Sequence, residues 1–502
     1  YLRSEIMVRA KKIISIIMII SLISVCFSGC KKKKNDKYTE SWIEWEEEVD
    51  STSRNDSDAV SAGKSSKGSD SGKIKSTQAV PPVADEKYFP KDWVNARAQY
   101  EKAHNPYNIP AKLKGTTVTF ATWIDHTKSE AANAWNTFEK ATGIKVKWVE
   151  IPQREYISKL ASMMASDTAP DVFVENNDFF PQSLNIAQPL NKISTIDFND
   201  PIWDQSIIKE STFGNNVYYI NTMYTIWSGG DSVYYNKKAF EDNGLLTPQD
   251  YIDAGQWTMD SLIKCMTEFK ALNSSYTGGN VGPQYFASTA GSSLVSKKNG
   301  KFVSGIDDEA FTKAFRYFYE MRDAGLLGGT EKAFMDGTSG LYIVGTMGLK
   351  KTGFFKQMDP DNLGVAPIPP LDGNSTYYTS AIFRTYGICR GAKNAEGAGY
   401  FLRYFLDPYN YDYDQTFMNA ELRDYYVNNI AGISADKKHF DLTGSAATVF
   451  GYSALERGTW VNTLRTTDAA QFKVELAKFS NEVNTAVNKC NQLVDSIIAR
   501  DK

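Results

Sequence analysis

Histidine is nearly absent from this chain, with only His104, His126 and His439 in 502 residues. They lie far apart and form no H-E-x-x-H run, which argues against a zinc hydrolase. Cysteine is scarce as well: five residues and no C-x-x-C pair. That argues against a small secreted domain stapled by disulfides. Cys265 shares a helical face with Leu262, Met266 and Phe269, and Cys490 one with Val483, Val487, Val494 and Ile497, so both read as core thiols. An excess of charge is also missing. The formal net charge of -3 supplies no basic face for nucleic acid, and none is expected as a partner. No G-x-S-x-G elbow occurs either.

The first thirty residues read as a targeting segment. Met7 is the expected start, followed by basic Arg9, Lys11 and Lys12, an apolar run from Ile13 to Phe27, and then Ser28-Gly29-Cys30. The run is too short for a comfortable membrane span, so residues 1–30 are expected to be a signal peptide. Small residues before Cys30 match a bacterial lipobox except at Phe27, where an aliphatic residue is usual. Cys30 is therefore the expected lipidation site, holding the mature chain at the outer face of the cytoplasmic membrane. Lys31 to Lys34 can add electrostatic attraction to anionic headgroups.

Residues 31–109 are expected to be a flexible linker and N-terminal extension. The stretch up to about 85 is rich in Lys, Ser, Asp and Gly and cannot bury enough apolar surface to order itself. From 115 to 175 the pattern changes. Thr116 to Trp123 alternates like a strand, and Thr127 with Glu130 has capping-box spacing ahead of Ala131, Ala134, Trp135 and Phe138. Gly143 stops that helix, Ile144 to Val149 reads as a strand, and Tyr156, Leu160, Met163 and Met164 mark a second helix before Val172 to Val174. This is a βαβαβ unit and implies a parallel sheet. Further helices are expected at 258–272, 308–324 and 395–406, strands at 341–346 and 377–390, and a long amphipathic helix carrying Phe472 to Ile497. The fold class is α/β.

Ligands of such sheets gather beyond the carboxyl ends of the strands, which makes Trp123 and Asp125, and Glu175 and Asn177, candidates by placement. Other chemical motifs are weak. Gly63-Lys64-Ser65 has the tail of a phosphate loop but Asp58 in place of its first Gly. Gly230-Asp231-Ser232 is a lone triplet. Asn410, Asp412, Asp414 and Glu421 follow calcium-loop spacing, but Gln415 replaces the Gly of the sharp turn. No metal and no cofactor is expected. Aromatics reach 13%, with 28 Tyr and 10 Trp, which suits polar ligands with apolar faces as well as an ordinary core.

Several ordered passages carry a family likeness. Phe138-Glu139 with Thr142-Gly143-Ile144 and Val146, then Tyr156 and Leu160 leading to Ala169-Pro170-Asp171-Val172, come first. The most distinctive is Tyr234-Tyr235-Asn236-Lys237-Lys238-Ala239-Phe240 with Asn243-Gly244-Leu245, Pro248 and Trp257-Thr258. Phe334 with Gly337 and Gly364-Val365-Ala366-Pro367 with Pro369 follow. This set, over roughly residues 115–480, resembles the extracellular solute-binding lipoproteins of sugar-importing ABC transporters. The resemblance implies a periplasmic-binding-protein-like (type II) fold: two α/β lobes on a multi-crossing hinge near 228–232, 345–348 and 383–386. The expected division is 110–230 with 348–383 for the first lobe and 231–347 with 384–502 for the second. It also implies capture of a carbohydrate in the cleft, delivery to a membrane permease, and a monomer without catalytic residues.

By position, Trp123, Asp125, Glu175, Asn177, Trp227, Asp231, Arg384 and Trp460 are the candidate ligand residues. The plainer readings are core packing for each Trp, a helix cap for Asn177, and an inter-lobe salt bridge for Asp231 and Arg384. Two alternatives stay open: a surface-anchored carbohydrate-active enzyme such as a glycoside hydrolase, and a sugar sensor for a receptor kinase.

Overall fold

The alternation of threonines with Val118 and Phe120 builds β1, Thr117–Thr122, in a computed structural model of the chain. The structure describes residues 86, 89–129, 131–175, 179–222, 230–345, 348–351, 353–371, 378–381, 384–411, 418–431, 438–443, 446, 455 and 457–502. By contact density, residues 74–164 and 169–502 make one unit, which contains both sheets described below.

A helix not foreseen in the sequence opens the described part: α1, Lys91–His104. It falls in the N-terminal extension expected before the first lobe, beyond the linker read up to about residue 85. Trp93 and Arg97 of α1 are buried, and the Trp93 indole donates to the Pro201 carbonyl at 2.7 Å. The segment lacks an apolar stripe because its inner face is partly ionic.

The βαβαβ unit stands as read. β1 is followed by α2, Ala132–Thr142, β2, Lys145–Glu150, α3, Tyr156–Ala165, and β3, Val172–Glu175. β1 runs parallel to both neighbours, with Val118 opposite Val146 and Phe120 opposite Val172. The start of α2 differs from the sequence reading. Its N-cap is Ala131 without a side-chain cap, because Thr127 turns back to Asp125 instead. Gly143 closes α2 at φ 74°, a left-handed conformation that disfavours a side chain. Gly143→Ala is expected to cost about 1 kcal/mol in chemical denaturation; no loss would mean the turn relaxes.

Beyond β3 come α4, Gln205–Glu210, and β4, Ser232–Asn236. The middle of the chain adds α5, Met259–Ala271, β5, Thr277–Asn280, α6, Pro283–Thr289, the hairpin β6, Val295–Lys298, and β7, Lys301–Ser304, then α7, Glu309–Asp323, and β8, Ser339–Val344. Thr258 caps α5 with a reciprocal Ser261 bond, a sequence-local signal that the periodicity matched. Next are β9, Leu363–Pro367, β10, Thr379–Ala381, β11, Thr385–Ile388, α8, Ala395–Phe405, α9, Ala420–Tyr426, and β12, Lys438–Phe440. α10, Arg457–Thr466, and α11, Ser480–Arg500, complete the set. The long closing helix expected from Phe472 is interrupted at Phe479, which ends one helix at Lys478 and precedes α11.

Two four-stranded sheets result. The first has the order β11-β3-β1-β2, the second β9-β4-β8-β5. This corrects the expected division between lobes. Leu363–Pro367 pairs with β4, so it belongs to the second sheet, while Thr385–Ile388 pairs antiparallel with β3 in the first. α8 then packs on the first lobe, its Phe401 and Phe405 against Phe120. Long-range strand pairing decided these memberships, and no local pattern reports it. β3 lies in the first sheet, β4, β5, β8 and β9 in the second and β11 again in the first, so the chain passes between the lobes before β4 and between β9 and β11; the Met418 amide donates to the Leu349 carbonyl at 2.8 Å.

Phe120, fully buried, sits among His126, Trp135, Tyr386, Phe401 and Phe405 at ring separations of 5.0–6.4 Å throughout the group. Such edge and offset contacts add to the area buried. Cys265 and Cys490 are buried thiols, as their helical faces implied, and burial pushes each up to about 12. Among the described residues no helix is long and apolar enough to cross a membrane.

Candidate functional site

One end of the first sheet gathers the polar and aromatic side chains. β1 and β3 end there, and antiparallel β11 begins there, with Thr385 opposite Glu175. Trp123, Glu175 and Arg384 therefore converge from three separate stretches of chain.

Trp123 is partly buried, its ring edge-on to Tyr156 at 4.9 Å and to Phe179 at 5.9 Å. Tyr156 is held rigidly: its hydroxyl donates to the Ala121 carbonyl at 2.6 Å and accepts from the Val174 amide at 2.8 Å. It thereby ties β1 to β3 beneath Trp123, and burial pushes its phenol far up, keeping it neutral. Glu175 is wholly buried. Its charge adds to burial in raising the hydroxyls of Tyr156 and Tyr219.

Asp125 serves its own turn. Its carboxylate accepts from the Thr127 amide at 3.1 Å and hydroxyl at 2.5 Å, and it pairs with Lys128 at 3.2 Å. The Thr127 hydrogen bond holds this carboxyl below the usual range. These bonds account for Asp125 without a ligand. Arg384 lines a cavity of about 30 Å³ with Ile124, His126, Ser129, Val174, Tyr386 and Tyr411. That volume suits a water molecule and is far below what a sugar ring needs.

The crossing segments meet nearby. Ser380 donates to the Asp231 carboxylate and accepts from the Asp231 amide, both at 2.9 Å. Tyr234 donates to the Gly345 carbonyl at 3.1 Å, and Asn221 to the Arg384 carbonyl at 2.8 Å. Because β8 and β9 both pair in the second sheet, the segment near 345–348 does not cross between the lobes. Trp460 is elsewhere. Only 1% exposed, it packs in α10 against Phe311 at 5.9 Å, so the structure makes it a core side chain of the second lobe. Asn177 and Trp227 lie outside the described residues.

His126, Tyr156, Ser380, Tyr386 and Tyr411 are not among the site candidates read from the sequence. His126 stacks between Phe120 and Trp135 at 5.4 and 6.0 Å. Its place directly after Asp125 was the available signal. Among the described residues no group of three or more His, Cys, Asp or Glu side chains could hold a metal ion. Of the calcium-like run, Asp412 and Asp414 lie outside the described residues, and the Asn410 amide is engaged with the Tyr404 carbonyl at 2.9 Å.

A family model described as bacterial extracellular solute-binding protein matches residues 121–410. Among solved structures, an extracellular solute-binding protein from Staphylococcus aureus in complex with maltose is similar at a TM-score of 0.57. The two are 14% identical, and the match covers 75% of this chain and 98% of that one. The galacto-N-biose-/lacto-N-biose I-binding protein of an ABC transporter from Bifidobacterium longum gives 0.54, with 13% identity over 74% and 98%. A transporter-associated binding protein from B. animalis subsp. lactis, in complex with β-1,6-galactobiose, gives 0.53, with 15% identity over 74% and 98%. At such identities the likeness establishes the two-lobed fold. No curated protein matches the chain in sequence.

Proposed function

The chain belongs to the bacterial extracellular solute-binding proteins, and from that premise we propose that it captures a carbohydrate, an oligosaccharide or related polar solute, between its lobes for delivery to an ABC permease. As a member of that family it is a binding protein and not an enzyme. The observation that carries the carbohydrate reading is the meeting of Trp123, Tyr156 and Phe179 with buried Glu175 and half-buried Arg384 at the strand ends of the first sheet. A sugar presents C–H faces to aromatic rings and hydroxyls to carboxylates and guanidinium groups, and this corner has both. Three neighbours of this fold are complexes with sugars: maltose, lacto-N-biose and β-1,6-galactobiose.

The anchor belongs to the same proposal. A lipid on Cys30, followed by a linker up to about residue 85, keeps a monomeric binder at the outer face of the membrane, within reach of its permease. Asn177, Trp227 and Asp231 remain proposed contributors to the same site.

Calorimetry against a panel of oligosaccharides tests the binding reading. One-to-one binding by at least one sugar is expected, and bound ligand should raise the melting temperature by mass action. Trp123→Ala is expected to weaken that binding at least about tenfold while the fold persists. Turnover of the sugars without saturable binding would overturn the proposal.

A further inference from the structure

The second lobe grips a short helix of the first lobe at both ends. α4 is capped by Asp204, whose Oδ1 accepts from the Ser206 amide at 2.9 Å. The other oxygen of Asp204 accepts from Lys438 Nζ at 2.6 Å. Lys438 belongs to β12, which pairs with β10 beside α6 of the second lobe. Both side chains of this ion pair are almost fully enclosed, at 2% and 1% exposure.

At the opposite end of α4, Lys297 Nζ donates to the carbonyls of Lys209 at 3.1 Å, Thr212 at 3.3 Å and Glu210. Lys297 is on β6, in the hairpin that also carries Phe302. Its ammonium lies 4.3 Å from the centre of the Phe213 ring, and Phe302 meets Phe180 of the first lobe at 5.7 Å.

These contacts fit a catch better than ordinary glue. A six-residue helix cannot satisfy its last carbonyls internally, and a cation at that end suits both the hydrogen bonds and the dipole. A buried ion pair adds little net stability when both partners can return to water. A partial displacement is different, because it strands the charges in an enclosed site before water reaches them. Engaged and fully separated lobes are therefore both tolerable, and intermediate positions are not.

We propose that Lys297 and Lys438 form an inter-lobe latch on α4, which sets how often the two lobes of this chain separate. The latch concerns the lobes themselves and holds whichever solute is bound.

Spin labels on exposed positions of the two lobes, through Lys159→Cys and Lys332→Cys, report the separation by double electron–electron resonance. Cys265, Cys389 and Cys490 are buried and resist labelling, and the labelled chain carries Cys26→Ser and Cys30→Ser. The parent chain is expected to give one narrow distance. In the Lys297→Met/Lys438→Met variant, which keeps the aliphatic stems, the fraction with separated lobes is expected to rise about tenfold or more. Asp204→Asn is the second arm, because Asn still caps α4 but removes the charge that Lys438 holds. It carries the test if the double variant does not fold, and the same broadening is expected. An unchanged distance distribution in a folded variant of either kind would overturn the latch.

Discussion

Replacing Arg403 by Met is expected to lower the stability of the first lobe by about 3–5 kcal/mol, the usual cost of removing one partner from a buried ionic cluster. Arg403, 5% exposed, reaches four groups: its Nε donates to Asp200 at 3.0 Å, one terminal nitrogen to Glu101 at 3.0 Å, and the other to Asp407 at 2.8 Å and to the Tyr107 hydroxyl. Arg97 of α1 adds a second cation, 2.6 Å from Asp407 and stacked 4.0 Å from the Tyr409 ring. Three carboxylates thus share two guanidinium groups. Burial pushes Glu101 and Asp200 up; for Asp407 burial is outweighed by Arg97 and Arg403, which hold it below the usual range. Without Arg403, Asp200 loses its cation and Asp407 keeps only Arg97. Urea unfolding read by tryptophan fluorescence checks the loss. A change under 1 kcal/mol would mean that water already reaches the cluster.

That cluster also explains what the sequence concealed. α1 has Trp93, Arg97, Tyr100 and Glu101 at helical spacing, but two of the four are charged, so the stripe does not read as apolar. Its partners Asp200, Arg403 and Asp407 are about a hundred or three hundred residues away. The βαβαβ unit was legible because its signals are local: alternation in β1 and β2, the Gly143 stop, and the Tyr156 and Leu160 stripe. Membership of β9 and β11 was not, because any strand can pair with either sheet until the whole chain is placed. The site divides in the same way. The rule that ligands meet strand ends singled out Trp123 and Glu175, which lie at the ends of β1 and β3, with Arg384 just before β11. It could not show that Asp125 would be consumed by Thr127 and Lys128, or that Trp460 would be enclosed against Phe311. Periodicity reports which face is buried and is silent about what covers it.

Asp501→Ala is expected to cost about 2–3 kcal/mol, because one carboxylate there organises several charge-assisted hydrogen bonds. Its side chain is 3% exposed and accepts from Tyr218 at 2.8 Å, from Arg390 at 2.9 Å and from Arg500 at 2.8 Å. Its backbone carbonyl also accepts from Lys192 at 2.8 Å, an interaction that the substitution leaves in place. These contacts fasten the end of α11 to the first lobe, while Asn491 of the same helix brackets Phe302 on β7 with bonds of 2.9 and 3.0 Å. α11 therefore spans both lobes, and the substitution weakens its attachment to the first. The pH dependence follows from the same geometry. Burial raises the Asp501 carboxyl, but the bonds from Arg500 and Tyr218 and the charges of Arg500 and Arg390 outweigh it, holding the group at about 2. A carboxyl depressed in the folded state binds fewer protons there than in the unfolded chain. Its contribution is thus complete above about pH 4 and is lost as pH falls toward 2. The Asp501→Ala variant should be less stable than the parent at neutral pH, and the gap should close in acid. Thermal unfolding of both proteins between pH 7 and pH 2.5 measures that gap; one that stayed constant with pH would show that the charge of Asp501 does not hold α11 in place.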